Sequence, residues 1–347
     1  MSPIPVFDGH NDVLLRLWLK TEGDPVADFL QGDGLGHLDM PRMKKGGFAG
    51  GFFAIFAPAD NEDLPDDEDV NPPLAGQIAH PTALRKTLEM ASLLFRIERE
   101  SQGKFKICRT VGEIRNCLAK GVVAAIFHIE GAEAIDADFK TLDVLYESGL
   151  RSLGPVWSRP NIFGHGVPFR FPSTGDTGDG LTEAGKGLIR YCNERRLLID
   201  LSHLNAKGFW DAAKLSKAPL VATHSNVLAL CASSRNLSDD QLKAIRDSGG
   251  MVGLNFASGF LREDGRWKTD TPLDIMVRHL DYLIKVAGEN CVALGSDFDG
   301  ARIPAAIGDA TGLPNLIEAL RERQYGEKLI AKIAGENWLS VLERTWG

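Results

Sequence analysis

The feature that most constrains the fold is the alternation of short apolar runs with longer amphipathic segments. Eight runs rich in valine, isoleucine, leucine and phenylalanine recur along the 347 residues. Because these runs are continuous rather than alternating, they are typical of strands buried on both faces of a parallel sheet. The predicted strands span residues 4–7, 50–57, 122–129, 150–156, 197–201, 219–223, 251–256 and 291–296.

Helical segments separate these runs. Two of them begin with residues that favour a helix N-terminus: Thr182 precedes Glu183, and Ser238 stands three residues before Gln241. The predicted helices span 77–100, 139–148, 181–196, 206–215, 238–248 and 272–287, with weaker candidates at 38–47 and 110–120. Eight strands alternating with helices favour a TIM-type (β/α)8 barrel over an open, doubly wound sheet. No glycine-rich nucleotide-binding loop follows the first run, which also disfavours the open sheet.

We expect a single barrel domain over residues 1–347, with two insertions. The first, 58–76, is acidic and proline-rich and is either a solvated loop or a lid over the barrel mouth. The second, 157–180, follows the fourth run and mixes aromatic residues with glycine and proline. Both insertions follow strand C-termini, the face where barrel active sites lie. Residues 314–346 predict helices on the barrel exterior.

Composition excludes several classes of protein. The formal charge of −8 and the lack of a basic patch argue against a general nucleic-acid binder. No run reaches the roughly 18 apolar residues of a membrane span, and the first run leaves no room for a signal peptide. The five cysteines are odd in number and widely spaced, without a CxxC motif. They therefore indicate reduced thiols in a cytoplasmic protein rather than a disulfide framework.

Polar residues crowd the C-terminal ends of five runs. They are His10 and Asp12, Glu130, His203, His224, and Asp297 with Asp299. In an extended strand His10 and Asp12 point the same way, and barrel catalytic residues come from several strand ends. Three imidazoles with two or more carboxylates form a ligand set for a pair of divalent ions.

The alternative is structural: the carboxylates could cap loops or helices, and each histidine could be satisfied inside the core. His128 precedes Glu130 by two residues, so it shares that face but lies a layer deeper. This placement favours packing or support over ligation. Nucleophilic catalysis fits less well, because no GxSxG or Cys–His signature occurs.

Six ordered segments carry a family resemblance. They are DGHND (8–12), IEG (129–131), DLSH (200–203), THS (223–225), CASSRN (231–236) and GSDFDG (295–300). Together they resemble the membrane (renal) dipeptidase family, binuclear zinc peptidases on a (β/α)8 barrel related to the amidohydrolases. The match spans nearly the whole chain.

The resemblance implies two Zn²⁺ ions per chain. His10 and Asp12 would bind one ion, and His203 and His224 would bind the other. Glu130 would bridge the two ions and so belong to the catalytic group.

The resemblance also assigns residues to the substrate. Arg235 would clamp a C-terminal carboxylate, and Asp297 would shuttle a proton or hold the substrate's amine end. We add Trp157 and Asn255 to the predicted substrate-binding residues. The family usually places a carbonyl-contacting histidine where this chain has Trp157. Either His165, in the adjoining insertion, takes that catalytic role, or the site works without it.

The sequence therefore predicts a dipeptidase in which a hydroxide held between two zinc ions attacks the peptide carbonyl. The resemblance further implies tolerance of a D-residue at the C-terminal position and a homodimer. Two alternatives stay open. One is another amidohydrolase, acting on a different amide, a lactone or a lactam. The other is a non-catalytic metal- or ligand-binding barrel, for which Trp157 is the best argument.

Overall fold

The computed structural model of the chain describes residues 4–59 and 76–347. Within these ranges the chain forms nine strands. They are β1 Val6–Asn11, β2 Phe48–Phe56, β3 Phe105–Ile107, β4 Val123–Glu130, β5 Leu150–Gly154, β6 Leu198–Ile199, β7 Val221–Ala222, β8 Met251–Asn255 and β9 Val292–Gly295. Every predicted run contains a strand; only β3 was not predicted.

Helices connect the strands. They are α1 Val13–Trp18, α2 Pro25–Gln31, α3 Met40–Gly46, α4 His80–Glu100, α5 Val111–Lys120, α6 Lys140–Ser148, α7 Glu183–Arg195, α8 Ala206–Leu215, α9 Asp239–Asp247, α10 Ser258–Leu261, α11 Leu273–Ala287, α12 Leu313–Glu322, α13 Glu327–Ala331 and α14 Asn337–Trp346. A short 3-10 turn, Ala310–Gly312, precedes α12, and a π-helical turn, Lys332–Glu336, joins α13 to α14.

The predicted helix starts at α7 and α9 are confirmed by their caps. The Thr182 hydroxyl accepts a hydrogen bond from the Gly185 amide, and Ser238 forms a reciprocal capping box with Gln241. None of the helices in the described ranges is long and apolar enough to cross a membrane.

All strand pairings are parallel. One sheet has the order β1–β2–β4–β5–β6, with β3 also paired to β4, and a second has the order β7–β8–β9. Isolated parallel bridges join Asp200 to Val221, between β6 and β7, and Asn11 to Phe298, between β1 and the segment after β9. The fold is therefore α/β, with a curled parallel sheet and covering helices of the TIM-barrel kind.

Successive residues along the strands enter two different apolar clusters, as the period of two in a strand requires. Phe53 and Leu254 belong to the larger cluster, which also contains the apolar side chains of the surrounding helices. Phe52 and Met251, on the other face, belong to an inner cluster that also contains Trp338. Both clusters are buried, which accounts for the continuous apolar runs in the sequence.

The C-terminal helices do more than cover the outside. Trp338, on α14, is fully buried, and its indole N–H donates to the Leu294 carbonyl oxygen at 2.9 Å. A Cβ atom at Gly9 would lie 2.5 Å from the Trp338 ring, and one at Gly253 would lie 3.1 Å from it. The segment was expected on the barrel exterior, but the side chain of Trp338 enters the inner cluster because two strands present glycines to it.

The two insertions differ in what the structure describes. Most of the first, residues 60–75, lies outside the described residues, so its role as a lid or a loop stays a prediction. The second, 157–180, packs on the C-terminal side of the sheet. Within it the Val167 amide donates to the His203 carbonyl oxygen at 2.8 Å, and the Arg170 carbonyl oxygen accepts from the Ser234 amide at 3.0 Å.

Candidate metal centre and active site

The first strand delivers an imidazole and a carboxylate side by side. His10 lies in β1, Asp12 immediately precedes α1, and both are buried. Their facing atoms, His10 Nε2 and Asp12 Oδ2, are 3.3 Å apart. The Asp12 amide donates to the Phe298 carbonyl oxygen at 2.8 Å, which holds this turn against the loop after β9.

Glu130, the last residue of β4, lies at the centre of the predicted ligands. Its Oε1 atom is 2.8 Å from His203 Nε2, 3.4 Å from His224 Nε2 and 3.6 Å from His10 Nε2. The ligating atoms form two overlapping groups, each within a 4.8 Å span: His10, Asp12 and Glu130, and Glu130, His203 and His224. The structure thus brings all five predicted ligands together, and the two groups share Glu130.

The contact with Arg235 favours a proton on Nδ1 of His203. Arg235 Nη2 lies 3.1 Å from His203 Nε2, and a guanidinium can only donate. With Arg235 as the donor, His203 Nε2 accepts and its Nδ1–H donates to the Ser158 hydroxyl at 2.8 Å. Glu130 Oε1, 2.8 Å from the same Nε2, can only accept as well, so this tautomer requires a cation between the two atoms. The Nε2 lone pair of His203 consequently faces the shared site.

His224 presents its Nε2 atom to the same point. Its Nδ1 atom lies 2.8 Å from the Thr223 hydroxyl, and its Nε2 atom lies 3.0 Å from His203 Nε2. Burial lowers the pKa of both histidines well below the ordinary value, and the charges of Arg235 and His10 lower it further. Imidazole nitrogens that carry lone pairs repel one another and a neighbouring carboxylate oxygen unless a cation lies between them, so this donor set fits a divalent metal ion.

The group of His10, Asp12 and Glu130 has a strongly negative electrostatic potential. Burial alone would lower the pKa of His10, but the Glu130 and Asp12 carboxylates outweigh it and raise that pKa to about 10. Neither ring nitrogen of His10 makes a hydrogen bond within the described residues. Burial raises the pKa of Glu130 well above its usual range. The pocket therefore favours positive charge, which either a proton on His10 or a metal ion would supply.

Asp297 faces the ligands from the loop after β9. It has φ of 58°, a left-handed conformation rare for residues other than glycine, and its amide donates to the His10 carbonyl oxygen at 3.0 Å. Its Oδ2 accepts from Asn255 Nδ2 at 2.8 Å, while Asn255 Oδ1 accepts from the Ala257 amide. Burial, reinforced by the charge of Asp12, raises the pKa of Asp297 to about 6.

Arg235 is a buried cation beside the second ligand group. Besides His203 it donates to the His224 carbonyl oxygen at 3.0 Å and to the Ser225 hydroxyl at 3.1 Å. Burial lowers its pKa to about 10, so the guanidinium stays charged at neutral pH. Its Nε makes no hydrogen bond within the described residues.

Trp157 forms an aromatic wall next to the second group. Its ring is stacked on His203 with centroids 5.8 Å apart, and it contacts Phe56 at 4.7 Å and Phe169 at 5.5 Å. The buried guanidinium of Arg159 lies 5.3 Å from the Trp157 ring centroid. Trp157 is only half-buried, so part of the ring stays accessible.

His165 is placed differently from the other predicted residues. Its Nδ1 atom lies 3.4 Å from the Gly180 carbonyl oxygen, and its own carbonyl oxygen accepts from the Asn205 amide. These contacts tie His165 to the 157–180 insertion and to the turn before α8. Trp157 stacks on His203 of the second ligand group, whereas these hydrogen bonds of His165 go to residues outside both groups.

Asp200 was not predicted from the sequence as a site residue, although its carboxylate supports the segments that carry His203 and His224. This buried carboxylate accepts from Ser202 and Thr223, the neighbours of His203 and His224. It also lies 3.7 Å from Nε2 of His128, whose Nδ1 contacts the Ser152 hydroxyl and whose pKa burial lowers to about 4. An acidic residue inside the otherwise apolar run 197–201 was the available signal.

Comparisons with known proteins agree with this geometry. The family model for membrane dipeptidases, peptidase family M19, matches residues 1–346. A metallopeptidase from Rhodobacter sphaeroides, solved with a phosphinate mimic of the dipeptide L-Ala-D-Ala, is 54% identical with a TM-score of 0.95, covering 99% of this chain and 100% of that one.

Two further relatives match over most of their length. The structure of a metallopeptidase named dipeptidase AC is 55% identical with a TM-score of 0.94, covering 99% of each chain. An uncharacterized protein encoded in the pqqA 5′ region of Klebsiella pneumoniae is 48% identical over 258 residues, 74% of this chain and 95% of that protein. This chain therefore belongs to the membrane dipeptidase family, M19, and is a metallo-dipeptidase.

Proposed function

We propose that this metallo-dipeptidase works with two Zn²⁺ ions and hydrolyses dipeptides, including those with a C-terminal D-residue. His10, Asp12 and Glu130 would hold one ion, and Glu130, His203 and His224 the other. The observation that carries the proposal is the position of Glu130 Oε1, within 3.6 Å of Nε2 in all three histidines. When bound, such ions supply an activated water near neutral pH and polarise the carbonyl under attack.

Arg235 would bind the free carboxylate of the substrate. It is buried, charged and adjacent to His203, and its Nε has no hydrogen-bond acceptor among the described residues. A guanidinium and a carboxylate form charge-assisted hydrogen bonds, which are about twice as strong as neutral ones. A fixed cation at this distance from the ligands would favour substrates whose carboxylate follows one residue after the cleaved bond.

Asp297 would accept a proton from the attacking water and deliver it to the departing amine. A pKa near 6 suits a group that must exchange protons near neutral pH. Asn255, predicted to bind substrate, donates to Asp297 Oδ2 and leaves Oδ1 to face the reacting atoms. We therefore assign Asn255 to the orientation of Asp297.

Trp157 would contact the substrate with the accessible part of its ring. It occupies the position where the resemblance placed a carbonyl-contacting histidine, and an indole offers one N–H donor for that task. The catalytic role of His165 stays a prediction. Tolerance of a D-residue is supported by the L-Ala-D-Ala mimic bound to the relative that is 54% identical.

The architecture can be extended in the same way. We propose that the two sheets close into a (β/α)8 barrel within one domain, a proposal supported by the bridges Asp200–Val221 and Asn11–Phe298. The homodimer implied by the resemblance and the cytoplasmic location expected from the cysteines remain predictions.

Turnover with metal analysis tests the proposal. The purified protein, loaded with Zn²⁺, should contain two ions per chain and release free amino acids from a panel of L-L and L-D dipeptides. The same dipeptides with an amidated C-terminus serve as the control and should react far more slowly. A protein that holds two ions but turns over none of the panel would refute the proposed substrate class.

A further inference from the structure

We propose that Asp200 is a positioning residue that sets the tautomer of His224 through the Thr223 hydroxyl. The inference rests on the proposed function, since it concerns the metal-facing nitrogen of His224. Asp200 lies at the end of the β6 region and Thr223 follows β7, and both side chains are buried. Neither was among the residues predicted for the site.

Asp200 is a fully engaged acceptor. Its Oδ1 accepts from the Ser202 amide at 3.0 Å, the Ser202 hydroxyl at 2.6 Å and the Thr223 amide at 2.9 Å. Its Oδ2 accepts from the Thr223 hydroxyl at 2.6 Å. An ionised carboxylate has no proton to give, so both hydroxyl protons point at Asp200.

These hydrogen bonds determine which ring nitrogen of His224 carries the proton. The Thr223 hydroxyl has one proton, and Asp200 takes it in the short bond, so the hydroxyl can only accept from His224. His224 Nδ1, 2.8 Å away, must therefore carry the ring proton, which leaves a lone pair on Nε2. His224 Nδ1 is 3.9 Å from Asp200 Oδ2, too far for a direct hydrogen bond, so the Thr223 hydroxyl is the link between them.

The link is specific to one histidine. His203 obtains the same tautomer by another route, with Arg235 donating to its Nε2 and Ser158 facing its Nδ1. Loss of the Asp200 carboxylate should therefore weaken the ion held by His224 and leave the group of His10, Asp12 and Glu130 largely intact.

Asp200→Asn should reverse the direction of both hydrogen bonds of the Thr223 hydroxyl, the one to residue 200 and the one to His224. The two backbone amides at Oδ1 require the amide oxygen there, so the new NH₂ group takes the place of Oδ2 and donates to the Thr223 hydroxyl. The Thr223 proton is then free to donate to His224 Nδ1, which favours the tautomer with a proton on Nε2. A protonated Nε2 cannot bind a metal ion. Loss of such a supporting partner typically costs 10–100-fold in metal affinity.

The experiment is a Zn²⁺ titration of the metal-free protein against a chromophoric chelator, repeated with Co²⁺ to follow each site by its absorption spectrum. For Asp200→Asn we expect one of the two ions to bind 10–100-fold more weakly and the other to bind as in the wild type. Thr223→Val should behave alike, whereas Thr223→Ser, which keeps the hydroxyl, should restore the affinity. Thermal unfolding of each metal-free variant checks the fold. If Asp200→Asn does not fold, the comparison of Thr223→Val with Thr223→Ser still tests the proposal.

The outcomes separate the two proposals. If the wild type binds two ions and both Asp200→Asn and Thr223→Val bind them with unchanged affinity, only the role of Asp200 is overturned. If the Thr223→Ser variant loses the ion as completely as Thr223→Val, the hydroxyl link is likewise refuted. If the wild type itself binds fewer than two ions, the proposed two-metal function fails, and this inference fails with it.

Discussion

Adding a single methyl group at Gly300 should greatly lower the activity of this protein while leaving its fold intact. Gly300 lies in the loop after β9, and a Cβ atom built there would sit 2.0 Å from Asp12 Oδ2 and 2.8 Å from Asp297 Oδ1. The first of these is the atom that faces His10 Nε2 at 3.3 Å. The added Cβ atom of Gly300→Ala would therefore clash with a proposed metal ligand and with the proposed proton acceptor.

The size of the effect follows from the distances. An ordinary contact needs at least 3.4 Å, so the Asp12 oxygen would have to retreat by about 1.4 Å, the difference between 3.4 Å and 2.0 Å. A displacement of about 1 Å at a reacting group costs about 10²-fold in rate, or about 2.7 kcal/mol of activation free energy. Because both clashing atoms are side-chain ends, they should move before the backbone does, and the fold should survive.

The assay is kcat/KM for an L-D dipeptide, with metal content and circular dichroism measured on the same samples. Gly300→Ala should lose at least about 10²-fold in kcat/KM. Gly112→Ala is the matched control, because the nearest atom to a Cβ at Gly112, in α5, is 3.9 Å away. Activity of Gly300→Ala within threefold of the wild type, with a full metal complement, would refute the reasoning.

Three other predictions concern residues of the site. Glu130→Ala should lose metal and fall below detectable activity with an unchanged far-ultraviolet spectrum, since Glu130 belongs to both ligand groups; retention of both ions would contradict the bridging role. Arg235→Ala should lower kcat/KM roughly 10²-fold for dipeptides with a free carboxylate and much less for amidated ones, the loss expected when a buried charge partner is removed. Equal losses on both substrates would exclude the clamp. Burial raises the pKa of Asp297 to about 6, and only the ionised form can accept a proton. Activity should therefore fall as the pH drops through that pKa, at or below pH 6 once bound cations favour the carboxylate, and an acidic limb that persists unchanged in Asp297→Asn would assign it to another group.

Much of the fold could be predicted from periodicity, and the departures have physical causes. The strand β3, Phe105–Ile107, has only three residues and pairs along the first part of β4, so it leaves no long apolar run. The run 197–201 contains a strand of only two residues, Leu198–Ile199, and Asp200 continues its pairing through a single bridge to Val221. The helix α1 is too short, at six residues, for two full turns of periodicity.

The candidate site could be predicted as a set but not as an arrangement. Polar residues at the ends of parallel strands must meet at one edge of a sheet, and that rule suffices to select His10, Glu130 and His224. It says nothing about which ring nitrogen carries a proton. In our proposal that property depends on Thr223, adjacent to His224 in the chain, and on Asp200, which is brought close only when β6 and β7 align.

The buried indole of Trp338 also bears on the order of events during synthesis. Gly9 on β1 and Gly253 on β8 leave room for its ring, so before α14 is made no side chain fills the space next to these two glycines. The strand that carries His10 and the loop that carries Asp297 are hydrogen-bonded to each other, and the Trp338 indole donates to Leu294 in β9, the strand before that loop. A nascent chain that ends before α14 would lack the support that fixes these two segments. A chain truncated before α14 should therefore acquire little zinc, although it still carries all five proposed ligands.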